Sequence, residues 1–316
     1  MRALVFNKDL KYTDNYRDPV PVKGEALIRI THAGICNTDL EITKGYMGFQ
    51  GIPGHEFVGI VKKSEKKSLI GKRVVGEINI HCGRCPECIG NIVNHCRRRS
   101  VLGILHKDGI FAEYATLPVN NLHILPDEVP DEEAVFVEPL AAAFEILDQV
   151  NINASHKVCV LGDGKMGILV GQVLSTTGCD LLVSGHHREK LSILDEMDIK
   201  TTRKEQLPHA GFDIVVDCTG SRTGIETALN IVKPRGTIVL KTTVAKKGHL
   251  DLNKVVIDEI TLIGSRCGSF PAAINAIKAR SIDLSPLISR TFPLEDGVRA
   301  FQYAADKHSL KVVIDI

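Results

Sequence analysis

The sequence predicts an α/β protein in two parts, a β-rich domain and a doubly wound parallel-sheet domain. Three observations carry this. In the first third, short apolar or alternating runs at residues 3–6, 26–31, 57–61 and 73–78 are separated by Gly, Pro and Asn, the pattern of a small barrel or sandwich. From Lys157 onward, short apolar runs at 158–161, 181–184, 214–217 and 237–240 alternate with helix-length segments, the rhythm of βαβ units around a parallel sheet. A chain of 316 residues is also long for one domain and comfortable for two.

Between these regions, the stretch 131–150 has apolar residues at helical spacing, and Asp131, Glu132 and Glu133 suit a helix start. From about Arg280 the pattern is less regular, and it closes on a strand-like run at 311–316. These readings place the β-rich domain at 1–140 and 280–316 and the parallel-sheet domain at 141–279.

Composition narrows the function classes. A net charge of +1 provides no overall field toward nucleic acid or an anionic membrane. The basic clusters Lys62-Lys63, Lys66-Lys67 and Arg97-Arg98-Arg99 read as solvated surface. The first residues, MRALVFNKDL, lack the apolar core of a secretory signal. No stretch approaches the ~18 uninterrupted apolar residues of a membrane span. Of nine cysteines, four crowd into 82–96 at regular spacing, which belongs to metal binding in a reducing compartment. The expectation is a cytoplasmic protein.

That cluster is Cys82-x2-Cys85-x2-Cys88-x7-Cys96. Four thiolates can close tetrahedrally around one Zn²⁺ and leave no open position, so such a site is structural. Gly83, Pro86 and Gly90 supply tight turns for the knot. Four unrelated cysteines in a reduced loop, or an iron–sulfur cluster, are the other readings of the same ligands. A second set is dispersed: Cys36 in GICNTD, His55 and Glu56 in GHE, and Glu138 in VEPLA. A thiolate, an imidazole and a carboxylate suit Zn²⁺ with a fourth position left for water or substrate. Spacing alone does not bring these residues together.

A third motif follows the apolar run 158–161: Gly162-Asp163-Gly164-Lys165-Met166-Gly167, then a helix-like apolar stretch. Between a strand and a helix, GxGxxG is a pyrophosphate cradle, because small residues allow close approach and the helix N-terminus attracts the anion. A carboxylate about twenty residues further on would accept hydrogen bonds from the ribose hydroxyls of NAD. The expected position is instead Gly185, followed by His186, His187 and Arg188. Loss of the acid removes repulsion against a 2′-phosphate, and the basic residues could bind it. This favours NADP(H) over NAD(H), against the plainer reading of a solvated basic helix start.

Taken together, Gly34-Ile35-Cys36-Asn37-Thr38-Asp39, Gly54-His55-Glu56-Phe57-Val58-Gly59, the four-cysteine loop, Phe111-Ala112-Glu113-Tyr114, Glu138-Pro139-Leu140-Ala141 and the dinucleotide motif resemble the medium-chain zinc-dependent alcohol dehydrogenases, especially their sorbitol- and threonine-dehydrogenase-like members. The resemblance spans nearly the whole chain. It implies a GroES-like β-rich catalytic domain plus a Rossmann doubly wound parallel-sheet domain, one catalytic and one structural zinc, and a homo-oligomer, dimer or tetramer. It implies that Cys36, His55 and Glu138 bind the catalytic zinc, with Glu56 as an alternate ligand and Asp39 orienting His55. It implies that Thr38 accepts the alcohol proton while hydride passes from the carbinol carbon to the nicotinamide, in a cleft between the domains that excludes water. Cofactor contacts are implied for Thr219 in the turn Asp217-Cys218-Thr219-Gly220, for Lys241 to Thr243, for Gly264 to Arg266, and for Lys311 near the pyrophosphate.

The chain departs from these relatives in three ways. It is shorter, Glu41 stands where many carry a histidine of the proton relay, and the loop 61–67 lacks the usual glycine. Met47 and Phe49 are candidate pocket residues or packing groups. The sequence points to reversible alcohol–carbonyl chemistry on a secondary alcohol or polyol, and because of these departures substrate identity does not carry over: a small secondary alcohol, a polyol and a larger hydroxylated metabolite all stand. A zinc-free reductase of the superfamily, a non-catalytic binding protein on the same fold, and a nucleic-acid-binding zinc module stand as rivals.

Overall fold

The punctuated runs of the N-terminal third pair into a seven-stranded sheet. Its hub is the strand Glu25–Gly34, in which Ala26, Ile28 and Ile30 alternate inward and are fully buried, the period-two pattern of a half-buried strand. This hub pairs antiparallel with Glu56–Lys63, with Tyr114–Pro118 and with the C-terminal strand Lys311–Asp315. The register sets Gly34 opposite both Glu56 and Val313. Residues far apart in sequence therefore meet at one end of the hub.

The computed structural model describes residues 1–242 and 250–316 and divides them into two compact units. The first comprises Met1–Glu138, Ala273–Lys278 and Leu284–Ile316; the second comprises Pro139–Ala272 and Ala279–Asp283. In the first unit, the four cysteines lie between the short strands Asn79–Ile80 and Ser100–Leu102 of a separate three-stranded sheet.

Two segments differ from their sequence readings. The expected single helix over 131–150 is two, Asp131–Ala134 and Val137–Gln149. Pro139 supplies the reason. A proline lacks the N–H for an interior turn and crowds the carbonyl four residues back, so a helix restarts to place it in a first turn. The less regular C-terminal segment resolves into the strand Ile288–Pro293, the helix Gly297–Ala304 and the strand Lys311–Asp315, with the two strands parallel.

In the second unit six parallel strands lie in the order Thr201–Arg203, Asp180–Gly185, Lys157–Leu161, Phe212–Asp217, Val232–Leu240, Thr261–Gly264. This is the spatial order 3-2-1-4-5-6 of a doubly wound nucleotide-binding sheet. The two edge strands escape the sequence pattern because they are short and half exposed, with Thr201, Thr202 and Arg203 in one and exposed Thr261 in the other. Cys159, Leu161, Phe212, Val215 and Ile238 of the sheet pack with Ala228, Leu229 and Ile231 of the helix Gly224–Ile231. The first strand pairs with both Asp180–Gly185 and Phe212–Asp217, so its C-terminal end is the switch point where such sheets open a ligand crevice. Among the described residues, no helix is long and apolar enough to cross a membrane.

Candidate catalytic centre and dinucleotide site

The end of the hub strand leads through Ile35 and Cys36 into the helix Asn37–Ile42. Asp39, fully buried in its first turn, accepts a hydrogen bond from the Cys36 backbone N–H at 2.8 Å through Oδ2. Its Oδ1 stands 3.2 Å from Nδ1 of His55. The metal-ligating atoms of Cys36, His55 and Glu56 all lie within 4.8 Å of one another. His55 and Glu56 are 3% and 1% exposed, so a bare cluster would leave polar atoms dry. Glu56 Oε1 is buried without a hydrogen-bond partner, a costly condition that a metal would relieve. Burial opposes a charge on His55, yet Asp39 and Cys36 raise its pKa well above the ordinary imidazole value. Thr38 is half buried on the same helix, and Glu41 one turn on is ion-paired with Lys44 at 2.9 Å.

The other oxygen of Glu56 is taken by Lys311, whose Nζ is fully buried against it and lies 5.4 Å from the ring centroid of Phe136. The sequence reading, which gives Lys311 a place near the pyrophosphate, does not include this pair. Its strand runs beside the hub, so its stem passes Gly34 and delivers the ammonium to Glu56. A Cβ on Gly34 would lie 2.5 Å from Glu56 Oε2 and 3.3 Å from Lys311 Cδ. Glycine in this position leaves room for a buried ion pair. Glu138, near the start of the helix Val137–Gln149, is half buried and lies outside the three-residue cluster. Phe49 packs with Phe6 and Ile42 and is a core residue, while Met47 is half exposed with φ 61°.

The four cysteine sulfurs also lie within 4.8 Å of one another. Cys85 Sγ is 3.3 Å from Cys88 Sγ and 3.7 Å from Cys96 Sγ, and Cys82 Sγ is 4.0 Å from Cys88 Sγ. Zn–S bonds of ≈ 2.3 Å in a tetrahedron require S···S separations of about 3.8 Å, so this arrangement fits a closed zinc site. The backbone N–H of Arg84 helps lower the Cys82 thiol to about 6, which favours the ligating thiolate.

In the second unit, Gly162 follows the strand Lys157–Leu161, and Gly164 caps the helix Lys165–Ser175. A Cβ on Gly167 would lie 1.9 Å from the Gly162 carbonyl oxygen, whereas one on Gly164 would meet nothing within 4 Å. The third glycine is thus needed for packing. The second keeps the helix N-terminus bare, as a close-lying anion requires. Lys165 and Met166 form the first turn beyond it. Gly185 ends its strand, His186 and Arg188 are exposed, and His187 is half buried. Thr219 donates through both N and Oγ1 to Asp217 Oδ1, at 2.9 and 2.7 Å. Lys241 is buried and donates to Ser265 Oγ and to the carbonyl of exposed Arg266. Thr243 lies outside the described residues.

A family model for the alcohol dehydrogenase GroES-like domain matches residues 22–127, and one for the zinc-binding dehydrogenase domain matches residues 166–279. The 2-dehydro-3-deoxy-L-galactonate 5-dehydrogenase of Pseudoalteromonas atlantica is 30% identical over 89% of this chain and 88% of its own. The chain belongs to the medium-chain zinc-dependent alcohol dehydrogenase family. Members of this family interconvert alcohols and carbonyl compounds with a nicotinamide dinucleotide, and this chain is such an oxidoreductase. The sorbitol dehydrogenase of Halalkalibacterium halodurans is 25% identical over 94% of this chain and 93% of its own. Two solved structures, each 25% identical and covering 100% of this chain and 99% of their own, have TM-scores of 0.91 and 0.92. The first is described as a zinc-binding dehydrogenase of Sinorhizobium meliloti 1021 bound to NADP, the second as the short chain alcohol dehydrogenase rspB of Escherichia coli CFT073 with NADH.

For this zinc-dependent dehydrogenase the motifs anticipated the cysteine loop; for the second set the resemblance implied Cys36, His55 and Glu138 with Glu56 as an alternate, whereas the structure clusters Glu56 with Cys36 and His55. The motifs missed the partner of Glu56. Lys311 is 255 residues away, and only the strand register of the C-terminal segment could have revealed it. They also missed Asp163, which reads in the glycine motif only as a variable position.

Proposed function

We propose that this dehydrogenase acts on a secondary alcohol of a polyhydroxylated small molecule, reversibly with the carbonyl, using NADP(H). The observation that carries the reading is the buried convergence of Cys36, His55 and Glu56, with Glu56 Oε1 lacking a hydrogen-bond partner. Those three residues would hold the catalytic zinc, with Glu138 as the carboxylate that exchanges with Glu56. When bound, zinc supplies Lewis acidity that lowers the pKa of an alcohol oxygen. The chain's own groups do the rest. Asp39 faces Nδ1 of His55, which fixes the ring and leaves Nε2 as the ligand nitrogen. Lys311 neutralises one oxygen of Glu56 and holds the other toward the cluster. The Thr38 hydroxyl takes the alcohol proton and passes it outward, with the Glu41–Lys44 pair replacing a histidine relay.

In the second unit, the bare N-terminus at Gly164 holds the pyrophosphate, and His186 and Arg188 take the 2′-phosphate beyond Gly185. The dinucleotide supplies the hydride acceptor. Cys82, Cys85, Cys88 and Cys96 hold a second, structural zinc. The polyhydroxylated substrate class is supported by the sugar-acid and sugar-alcohol dehydrogenases among the relatives. The test is a hydride-transfer screen with NAD⁺ and NADP⁺ over sugar alcohols, sugar acids and simple secondary alcohols, with zinc measured on the same samples. Turnover of secondary hydroxyls, faster with NADP⁺ and with two zincs per chain, is expected. Zinc-replete protein inert across the panel would sink the reading.

A further inference from the structure

The strand Asp180–Gly185 ends where a ribose-binding acid is expected, yet a carboxylate is present there all the same. It comes from Asp163, the second residue of the glycine motif. Asp163 Oδ2 accepts hydrogen bonds from the backbone N–H groups of His186 at 2.6 Å and His187 at 2.5 Å, and His187 Nδ1 lies 3.2 Å away. The side chain is 10% exposed. Burial opposes its charge, but the His187 backbone and ring and the His186 N–H hold its carboxyl below the ordinary range. At neutral pH it is an acceptor only, with one oxygen already taking two donors.

The same side chain fills the space above Gly185. A Cβ on residue 185 would lie 2.4 Å from Asp163 Cβ, 2.5 Å from Oδ2 and 2.6 Å from Cγ. Carbon atoms pack at about 3.5–4.0 Å. In this backbone arrangement, positions 163 and 185 cannot both carry a side chain.

We propose that Asp163 is the specificity-determining residue of the dinucleotide site: it excludes an acid from position 185 and commits its own carboxylate to the 186–187 backbone. Position 185 then offers no carboxylate to a ribose 2′-hydroxyl, Asp163 Oδ2 is occupied by two backbone donors, and the exposed His186 and Arg188 stand at a turn that Asp163 holds in place. This rests on the dinucleotide reading above. Asp163 acts through the loop it ties down and touches no reacting atom.

The test is equilibrium binding of NADH and NADPH, followed by the fluorescence of the reduced nicotinamide, which no tryptophan obscures because the chain has none. Four proteins are compared: wild type, Asp163→Gly, Gly185→Asp, and the exchange carrying both substitutions. Wild type should bind NADPH at least about tenfold more tightly than NADH, and Gly185→Asp alone should weaken both by about tenfold or more. The exchanged protein should regain NADH binding and shift the preference toward NADH by about a hundredfold. Should thermal melts show that Gly185→Asp does not fold, Gly185→Ala in the wild-type and Asp163→Gly backgrounds measures the same exclusion, damaging in the first and harmless in the second. Strictly additive effects overturn the proposal. So does Asp163→Asn moving the preference toward NADPH, since Asp163 would then be the ribose acceptor itself. A wild type that binds neither nucleotide removes the dinucleotide reading as well, whereas tight binding with an unchanged preference in the exchanged protein removes this proposal alone.

Discussion

The cysteine loop and the Cys36–His55–Glu56 cluster sit in the same unit and offer a metal different things. In the loop, fifteen consecutive residues supply all four sulfurs, and every candidate ligand is a cysteine. In the cluster, the ligands arrive from a helix N-terminus and a strand start, and their neighbours from the far end of the chain. The loop has a ligand for each tetrahedral position and needs little support from the fold. The cluster has three ligand types, a buried ion pair at one side and an aspartate behind the histidine, so its geometry belongs to the sheet. A closed set stabilises structure, whereas an open set held by a scaffold can do chemistry.

The sharpest way to break this contrast is to remove one ligand from each set. Cys36→Ser should lower kcat/KM by roughly 10³-fold, about 4 kcal/mol of barrier, while one zinc per chain remains. Cys85→Ser should lose the other zinc and reduce thermal stability, with turnover per folded molecule retained. Zinc analysis beside steady-state kinetics checks both.

A second test strikes the scaffold. Lys311→Met leaves Glu56 as a buried, unpaired carboxylate, and breaking such a pair costs about 3–5 kcal/mol. Denaturant unfolding should show a loss of that order, and among the described residues no comparable buried pair supports the cysteine loop, whose Arg97–Glu87 pair is exposed at the arginine. Asp39→Asn is milder: it keeps the shape but loses the charge that orients His55. Outer partners of metal-binding histidines are worth about 10–100-fold in metal affinity or activity, so a drop in that range with the fold intact is expected.

The smallest effect is in pH. Asp39 and Cys36 raise the His55 pKa above the ordinary imidazole value, so the metal-free site still carries that proton near neutrality, and the ion must displace it. Affinity of the open site should therefore fall on acidification, by about tenfold per pH unit for each proton displaced. The loop supplies four sulfurs to one ion and leaves no position for a competing water, so it should keep its zinc further into acid than the open site. Chelator competition at pH 6 and 8 separates the two. Equal losses from both sites would contradict the difference in build.

Sequence and structure agree where information is local. The cysteine spacing, the glycine cradle between strand and helix, and the apolar central strands of the parallel sheet were all readable, because each is fixed within a few turns of chain. The edge strands at 201–203 and 261–264 were hidden by exposure, and the break before Pro139 by continuous helical periodicity on either side. The Glu56–Lys311 pair depends on register between strands 255 residues apart, and the role of Gly34 exists only once that pair is placed. Asp163 was unreadable for a related reason: a GxGxxG motif says nothing about what its variable positions touch.

Cobalt(II) substitution tests the open-versus-closed contrast most directly. Protein loaded with cobalt at both sites is titrated with imidazole while the visible ligand-field bands are recorded, using Cys36→Ser and Cys85→Ser to assign them. The predicted result is that imidazole shifts the bands missing from Cys36→Ser and leaves those missing from Cys85→Ser untouched. A shift confined to the cysteine-loop bands, or no shift at either site, would contradict an open catalytic centre at Cys36, His55 and Glu56.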